Sequence, residues 1–152
     1  YFRILKMYGL INTHLGLIIV YISFQVPLCT WLMYSYFETI PKDLDAAASI
    51  DGLGRWGTFC RVVFPLCIPG LASTAIYAFI NSWNDYFMQL IMLVSNKNLT
   101  ISLGIATMQA ENSTDFGLLM AGSALAAVPI IIVFLIFQKY FTKGITMGAV
   151  KG

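Results

Sequence analysis

Charge is what this 152-residue chain has least of: nine Lys and Arg and seven Asp and Glu make 11% of it, where a soluble domain carries about 25%. With 59% apolar residues and a mean hydropathy of +0.78, that scarcity excludes a disordered chain and argues against a water-soluble globule. The net charge of +2 and the lack of any basic run give nucleic acid nothing to hold. A single histidine, His14, offers no metal-ligand spacing, and no Ser or Cys stands in a nucleophile-elbow context. An enzyme is not expected, nor a cofactor. Cys29, Cys60 and Cys67 are odd in number and imply no disulfide framework.

What is there is apolar sequence in blocks. Residues 7–37, 62–84 and 116–138 contain no Asp, Glu, Lys or Arg, and each block exceeds the roughly 20 residues needed to cross a ~30 Å hydrocarbon core. The pattern predicts an all-α integral membrane protein with three spans, over 14–37, 62–94 and 117–138, a first loop over 41–60, an outer loop over 95–116 and a tail over 139–152. The N-terminus and outer loop hold Arg3, Lys6 and Lys97, while the first loop and tail hold Lys42, Arg55, Arg61, Lys139, Lys143 and Lys151. The positive-inside rule therefore puts the first loop and the tail in the cytoplasm. The chain opens on Tyr1, and its first block is too long for a signal-peptide core, which predicts a C-terminal piece of a larger membrane protein. Residues 1–12 have the mixed aromatic and basic character of a segment at the membrane interface.

Individual residues sharpen that outline. Gln25 and Pro27 lie in the middle of the first span, where a proline predicts a kink against protein. In the first loop, Pro41 suits a first helical turn, Asp43 and Asp45 complement its positive end, and Gly52 and Gly54 supply the stop. On this short helix Leu44, Ala47, Ala48 and Asp51 recur at helical spacing, a face with little bulk that lets another surface approach closely. Pro65 and Pro69 predict a bend at the entry to the second span. Beyond them Gly70, Thr74, Ala78 and Ser82 form a small-residue stripe for close helix packing. Tyr77, Asn81, Asn84, Asp85 and Met88 fall within about a third of the circumference, a polar stripe on the same helix. Three readings of its polar members stand side by side: they line a pathway, they hydrogen-bond between helices, or they are exposed, Asp85 capping a helix. In the third span Gly122 with Ala126 and Ser123 with Ala127 predict a buried first half, and Pro129 a kink. The triplets Asn98-Leu99-Thr100 and Asn112-Ser113-Thr114 match a glycosylation acceptor only at a chance level.

Residues 41–70, PKDLDAAASIDGLGRWGTFCRVVFPLCIPG, resemble the EAA loop of binding-protein-dependent ABC transporter permeases: Glu-Ala-Ala, three residues, Gly, nine residues, Ile, one residue, Leu-Pro. The matching positions are Ala46, Ala47, Ala48, Gly52, Val62, Phe64 and Pro65, with Ala46 in place of the family glutamate. NTHLGLIIVY, SWNDYF, LLMAGS and FTKGITMGAVKG are similar to the carbohydrate, maltose-type branch. The resemblance implies a sugar importer built with a second permease subunit, a cytoplasmic ABC ATPase dimer and an extracytoplasmic substrate-binding protein, in the lipid bilayer of a bacterial or archaeal cell membrane. It also implies that Pro41, Asp43, Asp45, Ala46, Ala47, Ala48, Asp51 and Gly52 form the ATPase-coupling set. An ionic contact made by the family glutamate is then absent, or is supplied by Asp43 or Asp45. ATP hydrolysis is expected on the partner, since the tail's Gly144 to Lys151 lacks phosphate-loop spacing. Tyr77, Asn81, Asn84 and Asp85 are the translocation-pathway candidates. The alternative is a self-sufficient secondary carrier or channel subunit, which wants ionisable residues in several spans or repeated broken helices; only the second span carries a charge. A structural anchor needs no polar stripe.

Overall fold

The computed structural model describes residues 1–110 and 115–149, and every regular element among them is helical. In chain order these are α1 (Phe2–Met7), α2 (His14–Phe37), α3 (Asp43–Ile50), α4 (Arg55–Thr58), a π turn (Phe59–Val63), α5 (Phe64–Asn84), α6 (Phe87–Met92), a 3₁₀ turn (Asn96–Asn98), α7 (Ile101–Ala110) and α8 (Phe116–Ala149). The triplet at Asn112 and the last residues of the tail, from Val150, lie outside the described residues. Three helical stretches are long and apolar enough to cross a membrane: His14–Phe37, Arg55–Asn84 and Phe116–Lys139.

The second stretch departs from the expected 62–94 at both ends. It starts at Arg55 because α4, the π turn and α5 run on without a break. The π turn lies directly before Pro65, whose missing N–H already denies the preceding turn a hydrogen bond. It stops at Asn84 because the Asp85 carboxylate accepts from the Met88 N–H at 3.1 Å and starts α6 instead. At 1.5 Å per residue the 30 residues span about 45 Å, so the ends reach headgroup depth.

Two compact units make up the chain, one of Tyr1–Val26 with Ala78–Leu135, the other of Pro27–Tyr77 with the chain from Ile136 onward. The first has a core of Leu5, Leu17, Val20, Met92, Leu93 and Leu103. Its N-terminal part is locked by backbone chemistry. Gly9, at φ +66°, closes α1 with Gly9 N–H bonded to Lys6 O and Leu10 N–H to Leu5 O. Thr13 Oγ1 accepts from Gly16 N–H at 3.1 Å, capping α2. A Cβ on Gly16 would stand 2.0 Å from the Leu10 carbonyl oxygen, so only glycine fits. Asn12, at φ +61°, gives its N–H to Met92 O at 2.8 Å, accepts the Ser95 N–H on Oδ1 at 2.9 Å and accepts from the Asn98 side chain at 2.7 Å.

The expected outer loop contains α7. Thr100 caps it, accepting the Leu103 N–H on Oγ1 at 3.3 Å and the Gly104 N–H on its carbonyl at 2.8 Å. Among the described residues no residue of Phe116–Lys139 is buried, so these helices alone do not supply the burial in the bundle expected for its first half. Its small residues meet α7 and α5, where Gly122 lies against Ile105 and the Trp83 indole N–H donates to Ala126 O at 3.1 Å.

In the second unit Cys67, Ala72 and Ile76 are buried on α5. Gly70 lies under the Tyr36 ring, where a Cβ would come to 2.5 Å, and the Tyr36 hydroxyl donates to Leu66 O at 3.2 Å. The small-residue stripe thus receives α2, at Gly70 in this unit and at Ala78 and Ser82 in the first, where Gln25 Nε2 donates to Ala78 O and Ser82 Oγ. α2 continues unbroken through Pro27.

Candidate functional site

The candidate coupling set lies on α3 and its two ends. Before the helix, Leu44 N–H bonds to Pro41 O at 3.3 Å and Asp45 N–H to Lys42 O at 3.1 Å, a turn that leads into Asp43. Asp43 and Asp45 occupy the first helical turn, as the dipole favours. At the other end Gly52, at φ +78°, lets Gly52 N–H reach Ser49 O and Leu53 N–H reach Ala48 O, a Schellman closure that needs the left-handed conformation. Gly54 plays a different part from the expected stop: at φ −70°, ψ 169° it is the extended residue that opens α4, and its carbonyl takes the Thr58 N–H at 2.9 Å.

The faces of α3 differ from the sequence expectation. Ala48 is 3% exposed and Leu44 half-buried, so these two of the four low-bulk positions turn into their own chain. At roughly 100° per residue the opposite side carries Asp43, Ala46, Ala47 and Ile50, all exposed, with Ile50 at 86%. The outward surface therefore centres on Ala46 and Ile50, while Ala48 of the expected coupling set packs inward. Asp45 and Ser49 form one flank, and Asp51 the other.

The polar stripe of α5 is divided. Tyr77 belongs to the second unit. In the first, Asn81 and Asn84 are exposed, and Asn84 borders a groove of about 300 Å³ with Ser102 and Ser123. Asp85 is half-buried and engaged: Oδ2 accepts from the Tyr21 hydroxyl at 2.8 Å and from the Met88 N–H. Of the three readings, its geometry matches the hydrogen bond between helices and the cap together. Beside it stands a polar cluster outside the expected stripe. Gln89, 2% exposed, accepts from the Thr100 hydroxyl and donates to Ser82 O at 3.4 Å, and Ser102 Oγ donates to Trp83 O. These groups surround a small cavity of about 160 Å³, walled also by Leu17 and by Phe79, whose ring stacks on Trp83 at 5.4 Å. A lone glutamine in an apolar run was the available signal.

Residues 4–147 match the binding-protein-dependent transport system inner membrane component family. The chain belongs to that family. Among relatives of this inner membrane component, the trehalose/maltose transport system permease protein MalG of Thermococcus litoralis is 38% identical over 99% of the chain and 55% of its own length. The probable ABC transporter permease protein YurM of Bacillus subtilis is 40% identical, over 99% of the chain and 50% of its own length. The trehalose transport system permease protein SugB of Mycobacterium tuberculosis is 37% identical, over 99% and 56%. The chain thus spans about half the length of the curated relatives it matches. With three helices long and apolar enough to cross a membrane, it has the multi-pass character of an inner membrane component.

Proposed function

We propose that the chain serves as a membrane-spanning subunit of an ATP-driven importer for a sugar or oligosaccharide, with α3 as the handle pushed by a cytoplasmic ABC ATPase dimer. The observation that carries this reading is the outward face of α3, where Asp43, Ala46, Ala47 and Ile50 are exposed on a helix anchored from behind by Ala48. Small side chains there admit close approach, Ile50 supplies an apolar anchor, and Asp43 is the acid on that face in the absence of the family glutamate at 46. Closure of the ATPase dimer presses on α3, and the Gly52 turn passes the push through α4 and the π turn into α5. Rigid-body movement of attached helices then opens the path alternately to either side. Asn81 and Asn84, exposed amides on a membrane helix, are the wall residues that meet a polar cargo. A second permease subunit and an extracytoplasmic binding protein complete the importer, with residues 38–61 and the tail in the cytoplasm. A sugar cargo is supported by relatives named for trehalose/maltose and trehalose transport.

The test is cross-linking in inside-out vesicles. A cysteine at Ile50 should couple to the ATPase and respond to ATP, and a cysteine at Trp56, also exposed at 80%, should be labelled from the same side. Labelling of Ile50→Cys only from the outside, or a purified complex with no ATPase, overturns the reading.

A further inference from the structure

The second unit contains a pocket of about 580 Å³ that the coupling reading does not use, within the ~300–1,000 Å³ range of small-molecule sites. Asp45 and Ser49 line it from the flank of α3, Arg55 and Thr58 from α4, and Phe37 and Phe59 from the ends of the first and second spans. Among the described residues, neither the Asp45 carboxylate nor the Arg55 guanidinium has a side-chain hydrogen bond or ion pair, although both edge the same cavity. Two opposite charges without side-chain partners, both exposed, thus edge one cavity together with two aromatic side chains.

Their arrangement selects the occupant. Arginine's forked guanidinium suits phosphate, and a carboxylate on the same rim repels a purely anionic group but attracts an ammonium. A zwitterion carrying both satisfies both. The aromatic walls belong to residues at which membrane-crossing helices end, the depth of lipid headgroups, where aromatic side chains collect. We propose that this pocket holds the headgroup of a zwitterionic phospholipid, phosphate on Arg55 and primary ammonium on Asp45, with the glycerol and upper acyl chains along Phe37 and Phe59. Asp45 is thereby withdrawn from the outward face of α3, leaving Asp43 as the acid there. The inference rests on the membrane spans and not on the ATPase contact.

The experiment uses the complex purified with its partner subunits and reads lipid, so failure of the coupling reading leaves it intact. Transferred to detergent from nanodiscs of equal phosphatidylethanolamine and phosphatidylglycerol, the wild-type complex should retain the ethanolamine lipid roughly tenfold over its bulk ratio, the effect of one charge-assisted contact. Asp45→Asn and Arg55→Gln should each return that ratio to bulk, and Arg55→Lys should keep part of it. No preference in the wild-type complex overturns the proposal whether or not the variants assemble. So does phosphatidylglycerol held instead, or a partner protein captured by a photoreactive residue at Phe59.

Discussion

The Tyr21 hydroxyl donates to Asp85 Oδ2 at 2.8 Å, tying α2 to the α5–α6 junction across 64 positions of sequence. The same carboxylate oxygen caps α6, so one atom ends a span and joins two elements. Tyr21→Phe removes one bond and should lower stability by about 1 kcal/mol, whereas Asp85→Leu removes bond and cap and should cost about 2–3 kcal/mol. Thermal unfolding of the purified complex measures both, and the double variant should fall short of their sum. A drop in uptake per assembled molecule at unchanged stability in Asp85→Leu would restore the pathway role.

Gly52→Val forces a β-branched residue into φ +78°, a strain of about 1–2 kcal/mol, although no atom lies within 4 Å of the new Cβ. The expected result is normal membrane insertion with ATP-dependent uptake largely lost, read from subunit abundance and transport in the same vesicles. Full uptake in that variant removes Gly52 from the coupling path.

Gly70→Ala drives a methyl group into the Tyr36 ring and should destabilise by about 1–3 kcal/mol. Adding Tyr36→Leu should recover part of that loss, because the obstruction is a side chain. Gly16→Ala meets a backbone carbonyl and should resist any such rescue, which thermal unfolding of the paired variants distinguishes.

Asn12 separates conformation from contact. Asn12→Gly keeps the left-handed backbone but loses the side-chain bond to Ser95, while Asn12→Ala loses both advantages. Stability should fall in the order wild type, Asn12→Gly, Asn12→Ala, with steps of about 1 kcal/mol each.

Much of this was legible in the sequence. Charge-free blocks announce spans because burying a charge in hydrocarbon is costly, and Gly52 marks a helix end because few other residues adopt positive φ. Span ends were less legible: Asn81, Asn84 and Asp85 keep helical spacing, so periodicity ran past residue 84, and only the Met88 N–H shows that Asp85 is a cap. Thr100 before the apolar ISLGI was a usable cap signal for α7, obscured by polar neighbours. The Asn12 clamp depends on partners more than eighty positions away, and the inward turn of Ala48 on what lies behind α3; spacing along one chain carries neither.

The bare third span has a consequence for mutagenesis. Leu125 is 67% and Phe134 55% exposed among the described residues, so swapping either for a larger or smaller group tests chiefly what lies outside them. A stretch indifferent to such swaps faces fluid lipid, and one that rejects them faces a fitted protein surface, so that helix is a built-in gauge of its surroundings.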